Sequence, residues 1–216
     1  GTVKILVEGI KRARITTYTQ TDPYFFVDAE VITEPDSGTT EDEAMVRTVN
    51  GLTQDGISWA PSKEAMSIGF LAWHYARTLD RWINSRVLDK PQIWDQSIAE
   101  RFNRLPADPN DSGYNFTGQQ VSVFQSPSAA VLLEYALAAK NLTMGFLYTQ
   151  NDDDLGNVIL PNPRGGQINL ATMFQQLIWE CNQHGGQMAY IRGLQKGIEE
   201  PGYSGGMLEA RAKDAG

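Results

Sequence analysis

LATMFQQLIWECNQHGGQMAYIR, residues 170–192, decides how the rest of the chain is read. On a period of 3.6 residues, Met173, Leu177, Glu180, His184, Met188 and Ile191 fall along one stripe. A carboxylate and an imidazole four residues apart therefore share a face that is otherwise apolar. Burying a hydrogen-bonding group without a partner costs about 1–3 kcal/mol, and a charge costs more. A second polar side chain, a water or a metal ion must meet the pair. The other histidine, His74, lies in SIGFLAWHYARTLDRW, residues 67–82, a second strongly apolar helical stretch. A closed cluster, in which Glu180 and His184 bond each other or His74, is the structural alternative to a metal site.

The chain of 216 residues is 41% hydrophobic, which supports a substantial core. Its net charge of −8 argues against a general nucleic-acid surface. A single cysteine, Cys181, excludes an intrachain disulfide framework and fits a reducing compartment. No apolar run approaches the ~20 residues of a membrane helix. The expectation is a cytoplasmic protein with neither nucleic acid nor membrane as partner. The chain opens on Gly1 without a signal-peptide pattern, and Gly1 is expected to be left by processing or cloning.

N-terminal to the helical region, Val3, Ile5 and Val7 alternate with polar residues, as do Ala13, Ile15 and Thr17, and a third run carries Phe25, Val27, Ala29 and Val31. These runs predict a small antiparallel β-meander over residues 1–39, too short to bury much by itself. Thr40 and Glu43 then form a capping box for a first helix through Ala44, Met45, Val46 and Val49, ended by Gly51 or Gly56. Pro61 and Ser62 open a second helix with Ile68, Leu71, His74 and Tyr75 inward and Arg77 and Arg81 outward. Residues 89–125 are rich in Pro, Asp, Asn and Gly around a short helix at 94–102. Too long for a simple connection, they read as the cover of a functional opening, with Tyr114, Asn115 and Phe116 at its entrance.

Ser126 and Pro127 start a third helix carrying Val131, Leu132, Tyr135, Ala138, Leu142 and Phe146. NDDDLGNVILPNPRGG breaks it, with residues 152–154 as a solvated turn. Asn169 caps the fourth helix, and Pro201 and Gly202 end it before a polar tail at 205–216. Gly185 and Gly186 each cost roughly 1 kcal/mol in mid-helix, which implies close approach of a backbone or ligand. Cys181 points about 100° from Glu180 and reads as an apolar packing residue. The architecture predicted is α+β: a four-helix up-down bundle over residues 40–204 behind the β-meander.

TVKILVEGIKRARI, AEVI and EDEAMVRT, within residues 2–48, resemble the latter part of the N-terminal β-domain of Lon proteases. That resemblance implies a part in substrate recognition and hexamer assembly. The chain carries no GxxxxGK[ST] phosphate loop and no stretch resembling the Ser–Lys protease domain, so neither ATP hydrolysis nor proteolysis is expected of it.

Over residues 50–204, GLTQDGISWAPS, SIGFLAWHYARTLDRW, DSGYNFT and WECNQHGGQMAYIRGL resemble the DinB-like metalloproteins. The resemblance implies a four-helix bundle, often dimeric, that holds a divalent metal through one histidine on the second helix and two ligands a turn apart on the last. His74 matches the first position and His184 the last; Glu180 stands at the middle position, where histidine is common. Two imidazoles and one carboxylate suit Zn²⁺, Ni²⁺, Fe²⁺ or Mn²⁺, with positions left for water or substrate. The family implies metal-dependent thiol S-transferase or hydrolase chemistry on a small molecule, with a low-molecular-weight thiol as partner and no general base assigned. The whole is expected to be a chimera, engineered or recombined. The alternative is a non-enzymatic fusion with a structural metal or polar site and a peptide-binding β-segment.

Overall fold

Two strands with β-favouring sequence account for what is described of the N-terminal part. β1 (Ala13–Gln20) and β2 (Phe26–Val31) pair antiparallel, Ala13 opposite Val31 and Tyr18 opposite Val27. The register shifts between Ile15 and Thr17 and again between Tyr18 and Gln20, irregularities of the kind that bend a ribbon. The computed structural model describes residues 13–20, 26–31, 46 and 48–197. The run at Val3, Ile5 and Val7, the capping pair Thr40 and Glu43, Pro201, Gly202 and the polar tail lie outside the described residues. The chain divides into two compact units, Gly1–Thr39 and Thr40–Gly216.

In the second unit Val46, Thr48 and Val49 are helical, and Gly51 turns the chain with φ +74°. α1 (Gln54–Ser58) follows, capped by Thr53. α2 (Ile68–Asp80) starts later than Pro61 and Ser62 predicted, because Ser67 supplies the cap, accepting from the Phe70 amide at 3.1 Å. A π-helical segment, Arg81–Val87, continues it. α3 (Gln96–Arg101) sits within the expected short helix. α4 (Gly118–Ser122), not anticipated from the sequence, is held by the Thr117 and Gln120 capping box.

α5 (Ala129–Leu147) is capped by Ser128, not Ser126. Ser126 is instead buried against Gly69, where a Cβ would lie 2.1 Å from its Oγ. Residues 152–154 form the first turn of α6 (Asp152–Asn157), rather than a bare turn, because Asn151 and Asp154 close a capping box. β3 (Ile159–Pro161) and β4 (Gln167–Asn169) make a hairpin, also not anticipated, its return turn using Gly165 and Gly166 at φ +100° and +75°. α7 (Leu170–Lys196) is capped by Asn169 as predicted, but ends at Gly197, φ +83°, ahead of Pro201.

The described fold is thus mainly helical with small antiparallel sheets, an α+β architecture. α2 packs against both α5 and α7, and Phe146 stacks on Phe174 at 6.2 Å between α5 and α7. Leu71, Trp73 and Ala76 from α2, Leu132, Tyr135 and Ala139 from α5, and Met173, Leu177 and Met188 from α7 form the centre of the core. Contrary to the sequence expectation, one helix among the described residues, Ala129–Leu147, is long and apolar enough to cross a membrane by length and composition. Its Leu132, Tyr135, Ala136 and Ala139 are buried in the core of this unit, while most of its other residues are not buried.

Arg77, predicted outward, is wholly buried. Its Nε donates to the Asp111 carbonyl at 2.7 Å, and its Nη atoms to Gln92 Oε1 at 2.7 Å, Pro109 O at 3.0 Å and Tyr135 Oη at 3.1 Å. Asp80, also fully buried, accepts from the Ile93 and Trp94 amides at 3.0 Å and from the Tyr135 hydroxyl at 2.9 Å. A long irregular segment has backbone groups that need partners when covered. Here α2 supplies them, so residues 89–117 are strapped to the helix instead of lying over it as a loose cover. Tyr114 is exposed, while Phe116 packs near Phe70 and Trp73.

Candidate metal centre

α2 brings His74, and α7 brings Glu180 and His184, to one place: a ligand atom from each lies within 4.8 Å of the others. The stripe on α7 behaves as its spacing predicts, with Met173, Leu177, His184, Met188 and Ile191 buried and Glu180 half-buried. Two donors on one ion at about 2.1 Å cannot stand more than about 4.2 Å apart. The donor chemistry fits a divalent ion, and since donors around a tetrahedral ion stand about 3.4 Å apart, the widest pair must close by roughly 1.4 Å, a movement of side-chain rotation.

The polar contacts show how these groups rest. Glu180 Oε2 faces His184 Nε2 at 3.0 Å, and Gln187 Oε1 faces His184 Nδ1 at 2.8 Å. His74 Nδ1 meets the Ser112 carbonyl at 2.5 Å, and the two imidazoles cross edge to face with centroids 5.0 Å apart. The His184 hydrogen bond, aided by the charges of His184, His74 and Arg164, outweighs burial and holds Glu180 below its ordinary carboxylate range. Burial pulls His184 down, but the Glu180 and Gln187 hydrogen bonds and the Glu180 charge prevail, so it titrates above its usual value. Burial depresses His74, despite the bond to Ser112.

Gln187, one turn beyond His184, was within reach of the same spacing argument. The Ser112 carbonyl was not, because a backbone group 38 residues away has no sequence signature. Cys181 stands apart from the three-residue cluster, half-buried with Sγ 3.5 Å from the Tyr75 hydroxyl. Gly185 and Gly186 contradict the expected close approach, since a Cβ on either would meet nothing within 4 Å. One helical turn before Glu180, Arg164, Thr172, Gln175, Gln176 and Trp179 line a cleft of about 320 Å³.

Comparison with known proteins finds similarity of two kinds. Lon protease 1 of Bacillus subtilis (strain 168) is 51% identical over 49 residues, and Lon protease 3 of Sorangium cellulosum (strain So ce56) is 47% identical over 49 residues. Each match covers 23% of this chain, which spans about 6% of the length of these relatives. A solved structure, a conserved protein from Enterococcus faecalis, shares the fold with a TM-score of 0.62 at 22% identity, over 71% of this chain and 89% of that one. The DinB superfamily profile matches residues 39–188, which include all three clustered side chains. The chain belongs to the DinB superfamily.

Proposed function

We propose that this is a divalent-metal protein in which His74, Glu180 and His184 are the ligands, acting as a thiol S-transferase or hydrolase on a small molecule. The observation that carries the reading is the convergence of three donors, from two helices distant in sequence, within 4.8 Å. A surface ion pair four residues apart on one helix is common; a second imidazole arriving from α2 is not explained by helix stabilisation. Zn²⁺, Ni²⁺, Fe²⁺ and Mn²⁺ all suit this donor set. When bound, such an ion supplies Lewis acidity that lowers the pKa of a water or thiol reaching it.

The chain's own groups prepare the site. Glu180 keeps its negative charge through its bond to His184, and His74, Glu180 and His184 would together hold a bound ion. A small-molecule substrate and a low-molecular-weight thiol are the partners proposed. The setting proposed is cytoplasmic, and the chain a homodimer. Ile178, Trp179 and Tyr190, exposed along α7, support the latter.

The second unit is proposed to be a four-helix up-down bundle, completed by the helix to which Val46, Thr48 and Val49 belong. The packing of α2 on α5 and α7 supports it. The N-terminal unit is proposed to be a Lon N-domain-like fragment joined to it, without ATPase or protease function.

Elemental analysis of protein purified without a histidine tag tests the assignment. One metal per chain, lost in both His74→Ala and His184→Ala, is expected. Metal content unchanged in either variant would sink it.

A further inference from the structure

His74, Arg77 and Arg81 stand at i, i+3 and i+7, on one side of α2 and its π-helical continuation. Together they reach the backbone around residues 109–112. His74 Nδ1 meets Ser112 O at 2.5 Å, Arg77 Nε donates to Asp111 O at 2.7 Å and Nη2 to Pro109 O at 3.0 Å, and Arg81 Nη1 donates to Ser112 Oγ at 2.7 Å. Arg104 grips the same turn from its other side, its Nη2 donating to Asp111 Oδ1 at 2.7 Å while its guanidinium lies 4.9 Å from the Trp73 ring centre. Ser112 is 2% exposed, so water does not compete for its carbonyl.

A carbonyl oxygen only accepts. The nitrogen facing it must therefore carry the proton, and an imidazole with one proton then has its lone pair at Nε2. We infer that the Ser112 carbonyl, anchored by Arg77 and Arg81, is the positioning group that sets the His74 tautomer and turns Nε2 into the ligand atom. This deepens the metal reading and rests on it for the consequence, although the tautomer exists with or without an ion. Outer partners of this kind fix the ring orientation of metal-binding histidines.

One residue makes the approach possible. Gly113 has φ +79°, and a Cβ there would lie 2.9 Å from Phe70 Cζ, 3.0 Å from Trp73 Cζ3 and 3.2 Å from His74 Nδ1. Any larger residue has to push the 112–113 peptide away from the imidazole or distort the aromatic floor beneath it. The long segment at residues 89–117 thereby holds this carbonyl in place, besides satisfying Arg77 and Asp80. The two histidines are prepared differently, His184 by side chains on its own helix and His74 by a backbone group from outside α2.

The test uses the whole chain, ¹⁵N-labelled and metal-free, with two-bond ¹H–¹⁵N correlation of the imidazoles followed by Zn²⁺ titration. His74 is expected to carry its proton on Nδ1. Gly113→Ala and Ser112→Ala are expected to shift His74 towards the Nε2-protonated form and to weaken Zn²⁺ binding, Gly113→Ala by roughly 10–100-fold and Ser112→Ala by less. Ser112→Ala removes only the anchoring hydroxyl and still decides the matter if Gly113→Ala fails to fold. A wild-type His74 protonated on Nε2 overturns the inference, and so do folded variants whose tautomer and Zn²⁺ affinity match wild type. A wild-type Nδ1-protonated His74 in protein that takes up no Zn²⁺ supports the tautomer assignment and overturns the metal reading alone.

Discussion

Arg77 and Asp80, one turn apart on α2, form an ion pair from which solvent is wholly excluded, Nη1 lying 3.5 Å from Oδ2. The pair is satisfied by its surroundings: Tyr135 from α5 bonds to both members, and the backbone of the strapped segment takes most of the remaining valences. Removing one partner of such a pair leaves a buried charge uncompensated, at a cost of about 3–5 kcal/mol. Asp80→Ala, which also orphans the Ile93 and Trp94 amides, is expected to lose that much in urea denaturation. A loss under about 1 kcal/mol would mean that water reaches Arg77 in solution.

The stability of the metal-free protein should depend on pH through the clustered site. His184 titrates above 6.5, so its contribution is complete below the unfolded value and disappears as pH rises through the raised folded one. Glu180 titrates below 4.5, so its contribution is present above that value and is lost as pH falls through the lowered one. His74 titrates below 6.5, and stability therefore declines as pH falls under its unfolded value. Urea midpoints measured across this range should fall at both ends. Glu180→Gln should remove the alkaline step, because His184 then has no carboxylate to raise it.

Metal uptake should release a proton. His184 is held protonated above its ordinary range by the same Glu180 oxygen with which it would share the ion. Zn²⁺ titrations near pH 6.5, in buffers of differing ionisation enthalpy, are expected to show proton release and an affinity that weakens as pH falls. Glu180→Gln should diminish the release along with the affinity. Heat independent of buffer would contradict the resting ion pair.

Glycines at different depths should respond in opposite directions to one methyl group. Gly185 and Gly186 have open space at the Cβ position in mid-helix, so alanine at either should stabilise by about 0.5–1 kcal/mol. Gly69→Ala should destabilise by about 1–3 kcal/mol, since its Cβ would lie 2.1 Å from Ser126 Oγ and 2.9 Å from Ile57 Cγ2. Thermal melts of the three variants check both signs. Alanine at 185 or 186 that destabilises would indicate a partner molecule seated there in solution.

The α7 stripe, the Asn169 cap and the apolar character of α2 were legible in the sequence, because helical period and cap chemistry are local properties. The meeting of His74 with Glu180 and His184 was anticipated partly from an apolar face that required a polar partner, and partly from the resemblance of the motifs. Local rules misled where two reasonable choices compete. Ser126 followed by Pro127 reads as a cap as well as Ser128 does, and the burial of Ser126 against Gly69 decides between them. Arginine on a helix reads as solvated, yet Arg77 is buried because the strapped segment offers it carbonyl oxygens.

By itself, then, the sequence determined which helix faces are apolar, that Asn169 caps α7, and that two acid–base groups on α7 needed company. Tertiary structure decided what that company is: an imidazole from α2, and behind it a backbone carbonyl at Ser112 with Gly113 beside it. The physical reason is that side-chain periodicity is written in residue types, whereas a carbonyl is common to every residue. Only the path of the chain can say which one comes within 2.5 Å of an imidazole.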